Sequence, residues 1–326
     1  MDSDAALIRR VGHAPGSALG SSRLKLEEDD YARLMEIFRR RDIHCFFYTG
    51  GNGSMDTAMR VAEYVRRSGY DLQVIGIPKT IDNDLCVTDH TPGYASTARF
   101  FACAARDVGE DNRSLPSPVC VLETLGRNAG WIVAATAFAR HYENDGPHLI
   151  YFPERRLSLD RIAADVERVY RRIGRVLIAV CEGQHDDQGR PFGADVDRPE
   201  IGQHRLASNL GHTLARLLTE KLGIRARAEK PGLLGRSCGP FAAPVDREHA
   251  HACGRAAAQA AAAGQTGVMV ALRHDGGTFL TPLSTVARTE RLMPAEWIHP
   301  DGHDVTPAFT EYAAPLIGEI ESWARL

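Results

Sequence analysis

From Ile43 onward, short apolar runs alternate with longer segments whose apolar residues recur every three or four positions. "IHCFFYTG" reads as a strand. "SMDTAMRVAEYVRRSG" reads as a helix with Met55, Ala58, Met59, Ala62 and Val65 on one face, and "LQVIGIP" as the next strand. The alternation then runs through "GYASTARFFACAARDVG" as helix, "VCVLE" as strand, "NAGWIVAATAFARHY" as helix and "HLIYFP" as strand. It continues through "LDRIAADVERVYRRIG" as helix and "RVLIAVCEG" as strand. Strands separated by helices of about ten or more residues imply parallel sheets covered on both faces, so the fold class is α/β.

The stretch Cys181 to Gln203 is polar and helix-poor and reads as a surface loop. "HACGRAAAQAAAAGQTG" looks like low complexity by composition, yet "VMVALR" follows as a strand, so a buried helix ending at Gly264 is expected. No internal repeat is visible. With 326 residues, 44% of them hydrophobic, two domains are expected. The net charge of -3 is spread over interspersed acids and bases, which leaves no basic face for nucleic acid and favours small-molecule partners. The N-terminus lacks a secretory pattern and no apolar run is long enough for a membrane span, so a cytoplasmic location is expected. The seven cysteines are scattered singly with no CxxC, which predicts reduced, mostly buried thiols. The histidines show no metal-ligand spacing, Asp89-His90 reads as loop, and "RVYRRIGR" as a solvated helix face.

Two places carry chemistry. Gly50-Gly51-Asn52-Gly53-Ser54 lies between a strand and a helix, where glycines let the backbone approach an anion and the helix dipole favours one. A glycine turn kept only for tight strand-to-helix packing gives the same pattern. "IGIPKTIDND" ends the next strand; if extended, it turns Asp82 and Asp84 to one side, with Lys79 and Thr80 just ahead. That set offers a base, a metal ligand and donors for phosphate oxygens, and a surface Asx-type turn is the plainer alternative.

"GGNGSMDTA", "GIPKTIDND", "TDHTPGYASTARF", "ETLGRNAGW", "VCEG" and "RAEKPGLLGRS" occur in the order and spacing of the phosphofructokinase family. The chain resembles its bacterial pyrophosphate-dependent branch most, from about Leu19 to Ile298. The resemblance implies two doubly wound, Rossmann-like parallel-sheet domains with the active site between them. Residues 1–93 with about 235–285 would bind the donor phosphates, and 94–234 with about 286–326 the sugar phosphate.

It implies a glycolytic phosphotransferase acting on the 1-hydroxyl of fructose 6-phosphate or a related ketose phosphate, with magnesium. Pyrophosphate is the expected donor and ATP the alternative. Asp82 resembles the base, flanked by Thr80 and Asp84, and Lys79 the cation for the donor, while Arg23 resembles the arginine that meets the transferred group. Gly50, Gly51, Asn52, Gly53 and Ser54 match the donor loop, with Asn52 and Asp84 at the metal. Leu125, Gly126, Arg127 and Arg236 match the sugar-phosphate site, Glu182 the carboxylate on the sugar hydroxyls, and Arg227 an arginine that serves a neighbouring subunit. A homodimer or homotetramer is therefore expected.

The chain departs from the family's pattern in several places. It has no counterpart of the opening strand and its "GG…PG…N" turn. Pro118, Leu233 and Gly235 replace polar residues, and Asn52 stands where many relatives carry a metal-binding Asp. Gly53 points toward ATP, whereas Lys79 and Thr57 point toward pyrophosphate. These departures also define a second reading, a catalytically silent paralogue that binds sugar phosphate or an active sister subunit.

Overall fold

The computed structural model describes residues 4–22, 24–192 and 209–325. Along the chain, α1 (Ala5–Val11) and α2 (Glu28–Arg40) precede β1 (Cys45–Gly50), α3 (Asn52–Ser68) and β2 (Gln73–Pro78). Then follow α4 (Tyr94–Ser114), β3 (Val119–Thr124), α5 (Trp131–Ala135), β4 (Leu149–Ile150), α6 (Leu159–Ile173), β5 (Val176–Cys181), α7 (Leu210–Leu222) and β6 (Ala226–Glu229). The chain ends with α8 (Pro244–Ala262), β7 (Val268–Leu272), β8 (Thr278–Pro282), α9 (Leu283–Val286) and α10 (Pro307–Ile317). Two units result: Met1–Tyr94 with Pro244–Arg291, and Ala95–Ala243 with Leu292–Leu326. The crossings near residue 235 and residue 285 expected from the sequence lie instead at 244 and 292. The turn at Gly235 is seated on Phe101 of the second unit, and Arg291 is bonded to the Asn83 and Thr88 carbonyls of the first.

The first unit holds a sheet in the order β1-β2-β7-β8. β1, β2 and β7 run parallel; β8 is antiparallel to β7 and absent from the sequence reading. A tight turn explains it: Gly276 adopts φ +84°, and Arg273 and Gly277 are bonded across the hairpin at 2.7 Å, so no crossover helix is needed. The apolar face of α3 is centred on Met55, Ala58, Val61 and Val65, with Met59 and Ala62 at its margin. α3 stops at Gly69, whose φ of 64° a β-carbon would disfavour. β1 lies at the edge of the sheet and is the least buried of its parallel strands, with Phe47 41% exposed.

The alanine-rich helix differs from expectation. α8 buries only a stripe, Cys253, Ala257 and Ala260 below Asp246, and leaves its other faces exposed. The small side chains serve close approach to Ile75 and Val270 rather than all-round burial.

The second unit holds a wholly parallel sheet in the order β4-β5-β3-β6. Every residue of β3 and β5 is buried, as expected for central strands covered on both faces. α6 is capped by Ser158, which accepts the Arg161 N–H at 3.2 Å, and ends at Gly174 with φ 79°. The expected helix after Gly130 is only five residues, continued by a 3-10 turn over Thr136–Ala139, and the expected strand "HLIYFP" shortens to Leu149–Ile150. The segment after α10 lies against α4: Arg99 donates to the Ile317 and Glu319 carbonyls, and Arg106 to that of Glu321. All seven cysteines are free, and four are buried. Among the described residues no helix is long and apolar enough to cross a membrane. Of the expected loop Cys181 to Gln203, residues 193–203 lie outside the described residues, as does Arg23.

Candidate active site

In the first unit, strands β1 and β2 run in parallel register, with Gly50 opposite Pro78. Their carboxyl ends therefore deliver Gly51 and Lys79 side by side, and the Lys79 N–H donates to the Gly50 carbonyl at 3.0 Å. Gly50 must be glycine, because a β-carbon there would overlap the Ser54 hydroxyl. Gly51 caps α3, accepting the N–H groups of Ser54 at 2.9 Å and Met55 at 3.0 Å, and a β-carbon on it would come within 3.3 Å of Thr80. The loop and the segment bearing Asp82 are thus in direct contact. Gly53 is exposed, with nothing within 4 Å of a β-carbon placed on it, and Thr57 donates to its carbonyl at 3.0 Å.

The segment Thr80 to Asp84 is not extended. Asn83 sits at φ 56°, in the left-handed region, and its Oδ1 accepts the Thr91 N–H at 3.1 Å. The alternation argument for Asp82 and Asp84 therefore does not apply; a local fold sets their directions. Thr80 is buried, its hydroxyl accepting the Asp82 N–H at 3.1 Å and its carbonyl accepting the Thr91 hydroxyl at 2.9 Å. Lys79 is exposed.

Asp84 is met by Asn52, whose Nδ2 donates to the Asp84 Oδ2 at 2.9 Å and to its carbonyl at 3.1 Å. Burial holds the Asp84 carboxyl above the usual carboxylate range, against the hydrogen bonds from Asn52 and Thr80. Asn52 Oδ1 and Asp84 Oδ1 are buried and have no hydrogen-bond partner among the described residues. Two orphaned oxygens of this kind suit a hard cation completed by phosphate oxygens. No cluster of three or more metal-ligating side chains occurs among the described residues.

In the second unit, β3 is followed by Leu125-Gly126-Arg127 and its neighbour β5 by Glu182-Gly183. The Arg127 Nε stands 3.7 Å from Glu182 Oε1. Burial raises the Glu182 carboxyl above its usual range, opposed by the charges of Arg127 and Lys230. The backbones meet even more closely: Gly183 donates to the Gly126 carbonyl at 3.1 Å, and a β-carbon at Gly183 would overlap the Arg127 carbonyl.

Gly235 explains its own departure from polar neighbours. A β-carbon there would fall 2.5 Å from the Phe101 ring and 3.3 Å from Leu125, so only glycine lets the turn carrying Arg236 settle beside the Arg127 loop. Arg236 itself is exposed. Arg227 is drawn elsewhere, with Nη2 at 2.8 Å from Asp111 and Nη1 at 3.5 Å from Glu229. Its guanidinium is thus held in an ion pair within its own unit. The structure brings together Leu125, Gly126, Arg127, Glu182 and the Arg236 turn, and leaves Arg227 apart from that group.

The sequence reading missed the supports behind these residues. Glu123, 2% exposed, accepts the Gly211 N–H at 2.7 Å and pairs with Lys230 at 2.7 Å. His90, passed over as loop, is buried with Nε2 at 2.7 Å from the His249 Nδ1. Glu154, after β4, accepts the Gly130 N–H. Glu123 lay inside a quoted motif, but nothing in sequence spacing joins it to Lys230 or His90 to His249.

A relative from Rhodospirillum rubrum named pyrophosphate–fructose 6-phosphate 1-phosphotransferase is 41% identical over 322 residues, which are 95% of this chain and 80% of the relative. One of the same name from Halomonas elongata is 37% identical, over 97% of this chain and 78% of its own length. The crystal structure of a pyrophosphate-dependent phosphofructokinase from Nitrosospira multiformis matches with a TM-score of 0.88 at 32% identity, covering 100% of this chain and 80% of that one. The phosphofructokinase family model matches residues 2–261, and with these relatives it establishes that the chain belongs to the phosphofructokinase family.

Proposed function

We propose that the chain transfers a phosphoryl group from pyrophosphate to the 1-hydroxyl of fructose 6-phosphate. The observation that carries this reading is the contact between the Gly51 helix cap and Thr80, which puts an anion-binding loop against the segment holding Asp82. The names of the relatives from Rhodospirillum rubrum and Halomonas elongata support the same donor and acceptor and weigh against a silent paralogue.

The sugar oxygen attacks the terminal phosphorus, the new P–O bond forms as the bridging P–O bond breaks, and orthophosphate leaves. Asp82 takes the hydroxyl proton, while Thr80 fixes the backbone of Asp82 through its hydroxyl. The N–H groups at the start of α3 and the Lys79 ammonium grip the donor, because a compact polyanion is matched by several donors in fixed positions. Arg127 and Arg236 bind the sugar phosphate, and Glu182 accepts sugar hydroxyls. Asn52 Oδ1 and Asp84 Oδ1 would hold magnesium, which neutralises donor charge when bound. The same reading carries a homo-oligomer, in which Asp111 yields Arg227 to a neighbouring subunit.

The test is turnover of fructose 6-phosphate with pyrophosphate and with ATP, each with magnesium. Turnover with pyrophosphate is expected. Turnover with ATP alone overturns the donor assignment, and none with either donor overturns the reaction.

A further inference from the structure

The proposed chemistry gives no task to Glu154, a part-buried carboxylate that follows β4. Glu154 Oε1 accepts two backbone N–H groups from distant parts of the second unit, Gly130 at 2.8 Å and Met293 at 3.0 Å. Its Oε2 is buried and without a partner among the described residues. Gly130 makes the space, since a β-carbon there would fall 2.8 Å from that oxygen and 3.0 Å from the Phe152 ring. Burying a carboxylate is costly, and a merely structural site is served as well by apolar atoms. What an apolar residue cannot do is accept two backbone amides at once on one oxygen.

Those amides decide the place of the acceptor loop. Gly130 closes the five-residue turn Gly126 to Gly130 that carries Arg127, and Gly183 holds its other end. Between these ties the Arg127 side chain stands 3.7 Å from Glu182. We propose that Glu154 is a positioning residue for acceptor recognition, stapling the far end of the Arg127 loop to the segment at Met293 so that Arg127 meets the sugar phosphate in a fixed place. The inference rests on the acceptor role given above to Arg127 and Glu182.

Glu154→Ala, Glu154→Gln and Glu154→Asp in the full chain test it. Glu154→Ala should raise the acceptor KM about tenfold or more and leave kcat and the pyrophosphate KM within about threefold. Glu154→Gln keeps the accepting oxygen and should restore the acceptor KM to within about threefold, with a lower Tm because its NH₂ enters a site without a partner. Glu154→Asp retracts the carboxylate and should behave like alanine. Amide exchange at Gly130 and Met293 gives a readout independent of turnover, faster in Glu154→Ala and near wild type in Glu154→Gln.

An acceptor KM within twofold of wild type in Glu154→Ala, a glutamine variant as impaired as alanine, or unchanged exchange overturns the proposal. If the wild-type chain turns over nothing, the proposed function fails and exchange alone decides the staple: faster with glutamine rescue sustains it, unchanged removes it. Should Glu154→Ala not fold, the contrast between the aspartate and glutamine variants decides in the same way.

Discussion

Gly183→Ala is a one-methyl change with a large expected effect. A β-carbon at Gly183 would overlap the Arg127 carbonyl group and lie 2.7 Å from the Arg127 Cα, all of it backbone. No flexible side chain can swing away, so the two strand ends must separate by on the order of 2 Å to reach an ordinary contact of about 3.5 Å. Overpacking of this kind costs about 1–3 kcal/mol of stability. The movement also carries Arg127 off its place beside Glu182, and losing a charge-assisted contact to the sugar phosphate costs about 1.5–3 kcal/mol, or roughly 10- to 150-fold in acceptor KM. Steady-state kinetics with fructose 6-phosphate varied at saturating pyrophosphate reads this directly. The residues proposed to hold the donor belong to the other unit, so the pyrophosphate KM should change little. A Gly183→Ala protein with an unaltered acceptor KM and an unaltered Tm would refute both the close approach and the role given to Arg127.

Asp82→Asn keeps the shape of the side chain and removes the base, so kcat should fall about 10²- to 10⁴-fold with far smaller changes in KM; activity within a few-fold of wild type removes Asp82 from the mechanism. Gly53→Asp finds open space for its side chain and should leave pyrophosphate-dependent turnover intact while abolishing any use of ATP, which paired donor assays will show. Acid should destabilise the protein through His90, which is buried, and His148, which is part-buried. Burial depresses His90 to about 3 and His148 to about 4, below the ordinary 6.5, so between pH 6.5 and about 4 the unfolded chain takes protons that the folded chain refuses. Stability present above pH 6.5 is lost as pH falls, at up to about 1.4 kcal/mol per pH unit for each histidine. The raised carboxyls of Asp84, Glu154 and Glu182 act in the opposite direction. Comparing wild type with His90→Gln by denaturant titration at several pH values isolates one of these contributions: an identical slope in both proteins refutes the assignment to His90.

Much of the fold was legible because its signals are local. The alternation of apolar runs with helical periodicity located β1 to β5 and α3, α4 and α6, since burial on two faces or one stripe leaves a period in the chain itself. Glycines at Gly69 and Gly174 mark helix ends by their positive φ, a requirement of the backbone alone. The reading failed where context decides. α7, β6 and β8 were not foreseen, and the alanine-rich α8, expected as a buried helix, buries only one stripe, because small residues say that something approaches closely without saying from which side.

The sequence by itself determined the α/β class and the order of the glycine loop, the Asp82 segment and the arginine-bearing motifs, because residue type and spacing along one chain specify them. Only the tertiary structure decided which of these residues share a place. Parallel register between β1 and β2 sets Gly51 beside Lys79, and register between β3 and β5 sets Arg127 beside Glu182, although the partners are far apart in sequence. It also drew Arg227 to Asp111, bent Asp82 to Asp84 out of extension at Asn83, and gave Gly183, Gly235 and Glu154 their close contacts. Close approach and burial depend on what crosses from elsewhere in the chain, and a linear pattern carries no record of that.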